Sequence, residues 1–208
     1  MDSVIRAVDR IRAIPGADVD RNFGQGRQAV RDQIEMQWTD LKRRGELREI
    51  PTDYDAQCDE LITVAQEERA KLHNLVAPHH LPDDYVFFLE YYGGLFIGID
   101  DYSLLVDGIG PMTEQWYGFI MGDNVPYKDG LLNIGSLSYD DEYVILFLDL
   151  AGVVQQNCVI GVKCGEEEEP DFLPVIRNLP HCWTKLADSF TAWLERIAET
   201  GGTLGYTT

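Results

Sequence analysis

Histidine, cysteine and carboxylate side chains are the groups in this chain with the chemistry to act as ligands, nucleophiles or acid–base pairs, and they fall into a few clusters. His73, His79 and His80 make one, and Cys158, Cys164, His181 and Cys182 another. A zinc site needs three or four such ligands converging on a tetrahedron, usually marked by a C-x-x-C pair. The 4 cysteines, Cys58, Cys158, Cys164 and Cys182, form no such pair. His181 beside Cys182 has the residue types of a base and a nucleophile, but chain neighbours seldom aim their side chains into one site. Cys158, inside an apolar run, reads as a small core residue, and His79-His80 as a surface linker. Asp100-Asp101 and Asp140-Asp141-Glu142 offer paired carboxylates of the kind used in general acid–base work. Such pairs need environments that separate their pKa values, and turns between strands account for both. In Asp123-Asn124-Val125-Pro126, proline stands where calcium ligands would have to alternate.

The motifs of the common enzyme classes are missing: the chain holds no G-x-S-x-G, Walker loop, G-x-G-x-x-G or H-E-x-x-H. Gly108-Ile109-Gly110 runs into Pro111, which suits a turn better than a phosphate loop. Glu166 to Glu169 reads as a solvated loop tip. The expectation is a protein with no catalytic residues, no cofactor and no metal, one that acts by binding.

Charge says what it would bind. The 208 residues carry a net charge of −19, and almost all of it lies beyond Pro51: residues 1–50 sum to +1 and residues 51–208 to −20. Between Asp83 and Asp171 only Lys128 and Lys163 oppose 18 acidic residues. Such a field repels phosphate backbones and anionic lipid and attracts basic protein. Direct nucleic-acid binding is thus disfavoured. Tyr143 to Leu148 is too short to cross a bilayer and the first residues contain no secretory h-region, so a soluble cytosolic protein without membrane association is expected. Nothing in the sequence sets an oligomeric state.

The elements that position these residues follow from periodicity and turn chemistry. Residues 1–26 read as a short helix or turn followed by loop, because Pro15-Gly16 and Asn22 to Gly26 break any pattern. Val30, Ile34, Trp38 and Leu41 recur at helical spacing from Gln28 to Arg48, with Gly45 beside Lys42-Arg43-Arg44 as the stop. Residues 1–50 are therefore expected to be an N-terminal helical extension. Thr52-Asp53-Tyr54-Asp55 has the form of a capping box before a helix carrying Tyr54, Leu61, Ala65, Leu72 and Val76. Pro82 opens the next helix, Tyr85, Phe88, Leu89 and Tyr92 form its apolar face, and Gly93-Gly94 stop it. Leu95–Ile99, Tyr102–Val106, Gln115–Met121, Tyr143–Asp149 and Val153–Ile160 read as strands, with Asp149-Leu150-Ala151-Gly152 as a hairpin connection. Phe190, Trp193, Leu194 and Ile197 form a closing helical stripe ended by Gly201-Gly202. This order predicts an α+β fold: a central, mainly antiparallel sheet with N-terminal helices and a C-terminal helix packed largely on one face. The opposite face is expected to be partly open.

Leu81-Pro82, the aromatic helix, its glycine pair and the following strand resemble the opening segment of the SUKH superfamily. Leu61 to Leu81 is similar to the family's preceding helix, Ile134 to Leu150 to its strand pair, and Asp188-Ser189-Phe190 through Ile197 to its closing helix. The resemblance makes residues 51–208 a SUKH-like α+β domain. It implies binding without catalysis, since bacterial members mostly protect cells from secreted polymorphic toxins and fungal members include a regulator of cell-wall synthesis.

Aromatics edged by carboxylates suit a protein interface. The expected partner-binding residues are Asp100, Asp101, Asp107, Glu114, Trp116, Tyr117, Asp123, Tyr127, Asp129, Tyr139, Asp140, Asp141 and Glu142. The expected partner is a cognate basic protein toxin, with the acids standing in for phosphates if that toxin is a nuclease. The alternative is a regulatory scaffold of the fungal kind, suggested by the N-terminal extension.

Overall fold

A computed structural model of the chain describes residues 2–20, 35–36, 39–46, 56, 59, 70–106, 127–128, 130–140, 142–164, 176–177 and 181–206. Pro82 lies just before helix α2, Asp83–Tyr91, in an extended conformation that hands the chain into the first turn. Tyr85, Phe88, Leu89 and Tyr92 are all buried. The helix ends where Gly93 adopts φ 74° and its N–H reaches back to the Phe88 carbonyl at 3.1 Å, a conformation glycine takes without strain. Helix α3, Phe190–Thr200, starts at Ser189, whose hydroxyl accepts a hydrogen bond from the Ala192 N–H, and stops at Gly201. Phe190 packs edge-on against Tyr85 and Phe88, with ring centroids 4.9 and 5.0 Å apart, which locks α3 to α2.

The strands are β1 (Asp18–Asp20), β2 (Leu95–Ile99), β3 (Tyr102–Val106), β4 (Tyr127–Lys128), β5 (Leu131–Tyr139), β6 (Glu142–Asp149), β7 (Val159–Cys164) and β8 (Trp183–Ala187). They form one sheet in the order β1-β2-β3-β5-β6-β7-β8, with β4 alongside β5, and every pairing is antiparallel. Helices α2 and α3 pack on the same face of this sheet, in an α+β arrangement. Near Gly45, the Glu46 N–H bonds to the Leu41 carbonyl and the Gly45 N–H to the Lys42 carbonyl, the helix stop expected at that glycine. The capping box at 52–55, the turn at 108–111, the acidic run 166–169 and the strand expected at 115–121 lie outside the described residues.

Two expectations are corrected. Residues 2–20 are no appendage. Helix α1, Asp2–Arg12, buries Val4, Ala7, Val8 and Ile11, an i, i+3, i+4, i+7 stripe, in the same core as α2 and α3. β1 then extends the sheet by pairing with Phe96, Ile97 and Gly98 of β2. Helical periodicity at one end of α1's own sequence was enough to form it, but only the distant core could hold it.

The run Val153–Ile160 is not one strand, and Asp149 to Gly152 is not by itself the hairpin connection. β7 begins at Val159, and the link from β6 runs from Leu150 to Cys158. Its organiser is the fully buried carboxylate of Asp149, whose Oδ1 accepts from the N–H groups of Gly152 (2.8 Å) and Val153 (2.9 Å) and whose Oδ2 accepts from Val154 (2.7 Å) and Gln155 (3.1 Å). These amides are spent on a side chain, so they cannot join a ladder.

The second face is covered in part among the described residues. Over β5 to β8, Leu131, Ile145, Phe147, Cys158, Ile160 and Val162 pack with Ile176, Val153 and Val154 in a second apolar cluster. Cys158 is a fully buried core residue there, as expected, and burial, followed by the Asp149 charge, pushes its thiol up to about 11.

Candidate functional site

Two hairpins built alike carry the expected acids to one end of the sheet. Ile99 pairs with Tyr102, leaving Asp100-Asp101 as the turn, and Tyr139 pairs with Glu142, which puts Asp140 in the next turn. Asp100 and Asp140 take φ of 48° and 51°, a left-handed conformation that aspartate tolerates better than most residues. β3 and β5 are neighbours with Tyr102 opposite Tyr139, so the two tips lie side by side. The Tyr102 and Tyr139 rings stack beneath them, with centroids 5.2 Å apart and planes 9° from parallel.

The acids divide into two kinds. Asp100, Asp101 and Asp140 are exposed, and none of them makes an ion pair or side-chain hydrogen bond among the described residues. Glu142 is exposed but paired: it accepts a hydrogen bond from the Tyr139 hydroxyl and pairs with Lys163 Nζ at 2.7 Å. Lys163, followed by the Tyr139 hydroxyl, holds the Glu142 carboxyl below its usual range, and Glu142 raises the Lys163 ammonium. Tyr139 is pushed up to about 12, first by burial and then by its bond to Glu142. Tyr206, from the chain's last described turn, closes the group with its ring 5.4 Å from Tyr139 and the Lys163 ammonium 5.9 Å from its own ring centre.

Of the expected site residues, the structure therefore brings together Asp100, Asp101, Tyr139, Asp140 and Glu142. Tyr139 is buried, and with its hydroxyl bonded to Glu142 it supports the rim from inside. Tyr127 pairs through its backbone with Leu132. Asp107, Glu114, Trp116, Tyr117, Asp123, Asp129 and Asp141 lie outside the described residues. Sequence reasoning missed Tyr102 and Lys163, which strand pairing brings in, Tyr206, which arrives from the turn after α3, and Asp18, an exposed residue that β1 sets beside Gly98.

His73, His80 and His181 are exposed and His79 is half-buried. Among the described residues no group of three or more His, Cys, Asp or Glu side chains is placed to hold a metal ion, and no helix is long and apolar enough to cross a membrane. What the rim offers chemically is fixed negative charge on a rigid support, suited to ammonium and guanidinium groups. Searched against known protein families, curated proteins and solved structures, the chain finds no match.

Proposed function

We propose that this chain is a non-catalytic, SUKH-like immunity protein that acts in the cytosol and neutralises a basic toxin by covering its active or substrate-binding surface. One observation carries the reading: Asp100, Asp101 and Asp140 stand on adjacent hairpin tips with no internal partner among the described residues, in a chain of net charge −19. Carboxylates that serve the fold are neutralised by it, as Glu142 is by Lys163. Three that are not leave a local potential that accelerates encounter with a cationic surface. The scaffold reading rested on an N-terminal extension, and residues 2–20 pack in the core instead.

The test is growth. Cells expressing a toxic basic domain encoded beside this chain's gene should survive when the chain is co-expressed, and the purified pair should bind more weakly as salt rises. Death despite abundant folded chain, or affinity indifferent to salt, would sink the reading.

A further inference from the structure

The rim borders a part of the sheet that neither apolar cluster covers among the described residues. Residues paired across antiparallel strands share a face, so the register sorts the sheet's two sides. On the side away from the helices, Phe96, Leu105 and Ser136 stand in one row and Ser103, Ser138 and Tyr143 in the next. Tyr143 is 37 % exposed and the other five are half-buried. The second apolar cluster covers β6 to β8 on this side. Among the described residues Phe96 and Leu105 belong to neither that cluster nor the main core.

We infer that this open part of the sheet, over β1, β2, β3 and β5, is the docking platform for a protein whose apolar patch is bordered by lysine or arginine. The inference rests on the immunity reading and says which face meets the toxin. Small side chains in the middle make the platform flat, while Phe96, Leu105 and Tyr143 supply apolar contact. Acids edge it on two sides: Asp18 along β1, and Asp100, Asp101 and Asp140 at the hairpin tips. A second copy of the chain would bring the same acids against these, a like-charge contact that association disfavours. Five paired residues in each of β2, β3 and β5 and three in β1, with strands about 4.8 Å apart and about 3.3 Å per residue, give a platform on the order of 300 Å². A stable partner covers about 800 Å² per side, so the contact extends over the rim as well. Apolar centre and acidic border then act together, the first slowing departure and the second speeding arrival.

The experiment compares two probes on the full chain: the basic toxin domain of the growth test, and poly-L-lysine, which has the charge and no apolar patch. Ser138→Tyr adds bulk to the flat middle, Leu105→Ser removes apolar area, and Asp100→Asn with Asp140→Asn discharges the rim. Both platform variants should bind the toxin at least about tenfold more weakly. They should leave poly-L-lysine binding and the salt slope unchanged, whereas the rim variant lowers both. Toxin affinity intact in both platform variants and lost only in the rim variant overturns the inference and leaves the immunity reading standing. No toxin binding by the parent chain removes the immunity reading, and the inference with it. Sedimentation showing a parent dimer that Ser138→Tyr dissolves assigns the face to a second copy. Nuclear Overhauser contacts from the Phe96 and Leu105 side chains to another segment of the free chain, with a fall in Tm for both platform variants, assign it to the chain itself. Either result overturns the proposal.

Discussion

Asp84 and Thr191 stand 107 residues apart in the chain, yet one carboxylate oxygen of Asp84 accepts both the Thr191 N–H and the Thr191 hydroxyl at 2.8 Å. The other oxygen accepts the Tyr85 N–H at 2.9 Å. One side chain thus serves the free amides at the starts of both α2 and α3, where negative charge also suits the helix dipoles. Asp84→Ala should cost about 1.5–3 kcal/mol, the loss of a charge-assisted pair. A urea titration checks this: the midpoint falls while the slope holds, because the fold is unchanged.

Asp149→Asn should cost more than its near-identical shape suggests. An NH2 group must replace one of two oxygens that each face two N–H donors, so donors meet donors in a buried site. About 3 kcal/mol is expected. Hydrogen exchange gives the local readout, with the amides of Gly152 to Gln155 losing protection before those of β5.

Alkaline pH should weaken the fold through the Tyr139 group. The folded pKa of Tyr139 is raised from 10.0 to about 12, so the native state binds more protons between those values. Its contribution is complete below pH 10 and is lost as pH climbs towards 12. Glu142 has the opposite sign: its lowered carboxyl contributes above its ordinary 4.5, and that contribution disappears as pH falls through the folded value. Phenolate absorbance tests the first part. Burial also pushes Tyr92 up to about 12, so both should appear among the late-titrating tyrosines, and Tyr139→Phe should remove one late phenolate.

Gly135→Ala should be among the most damaging single-methyl changes in the chain. Gly135 sits in the β5 bulge at φ 145°, and a Cβ there would lie 2.0 Å from the Leu105 carbonyl oxygen. Relief requires β3 and β5 to separate, at about 3 kcal/mol or more. Gly16→Ala is the control: it also has a positive φ, of 79°, but a Cβ would meet nothing within 4 Å. That change should cost only the left-handed penalty of about 1–2 kcal/mol. Equal Tm shifts for the two would contradict the steric argument.

Discharging the rim should leave stability nearly untouched. Asp100→Asn with Asp140→Asn removes exposed charges without internal partners, so thermal unfolding should move by no more than about 0.5 kcal/mol. Association with a basic partner should slow at low salt and converge on the parent's rate at high salt. Stopped-flow association at several ionic strengths measures this.

What the sequence disclosed depended on how local each signal was. α2, β2, β3 and α3 are written in runs of a few residues with their own stops, and each lies within a residue or two of its expected bounds. Leu131 to Tyr139 hides its strand from composition, because Gly135, Ser136 and Ser138 dilute the β-formers although the bulge needs that glycine, and only the resemblance implied a strand pair from Ile134 to Leu150. Val153-Val154 looks like strand, but the competing acceptor is a carboxylate several residues back, and periodicity cannot register it. β1 is three residues long and gains meaning only from β2, which lies far along the chain. At the rim, aspartate pairs between strand-like runs identified both turns. Nothing local identified Lys163 as the partner of Glu142, or Tyr206 as the ring that closes the group.

The joining of α1 to α3 in one core has a consequence for synthesis. A ribosome releases α1 long before it has made α3, and until then Val4, Val8 and Ile11 have no finished core to enter. Closure links two helices separated by most of the sheet's strands in sequence, a high contact order that slows folding. The nascent protein therefore carries an apolar, unhoused helix until α3 has been made. A holding chaperone should find its binding site in α1.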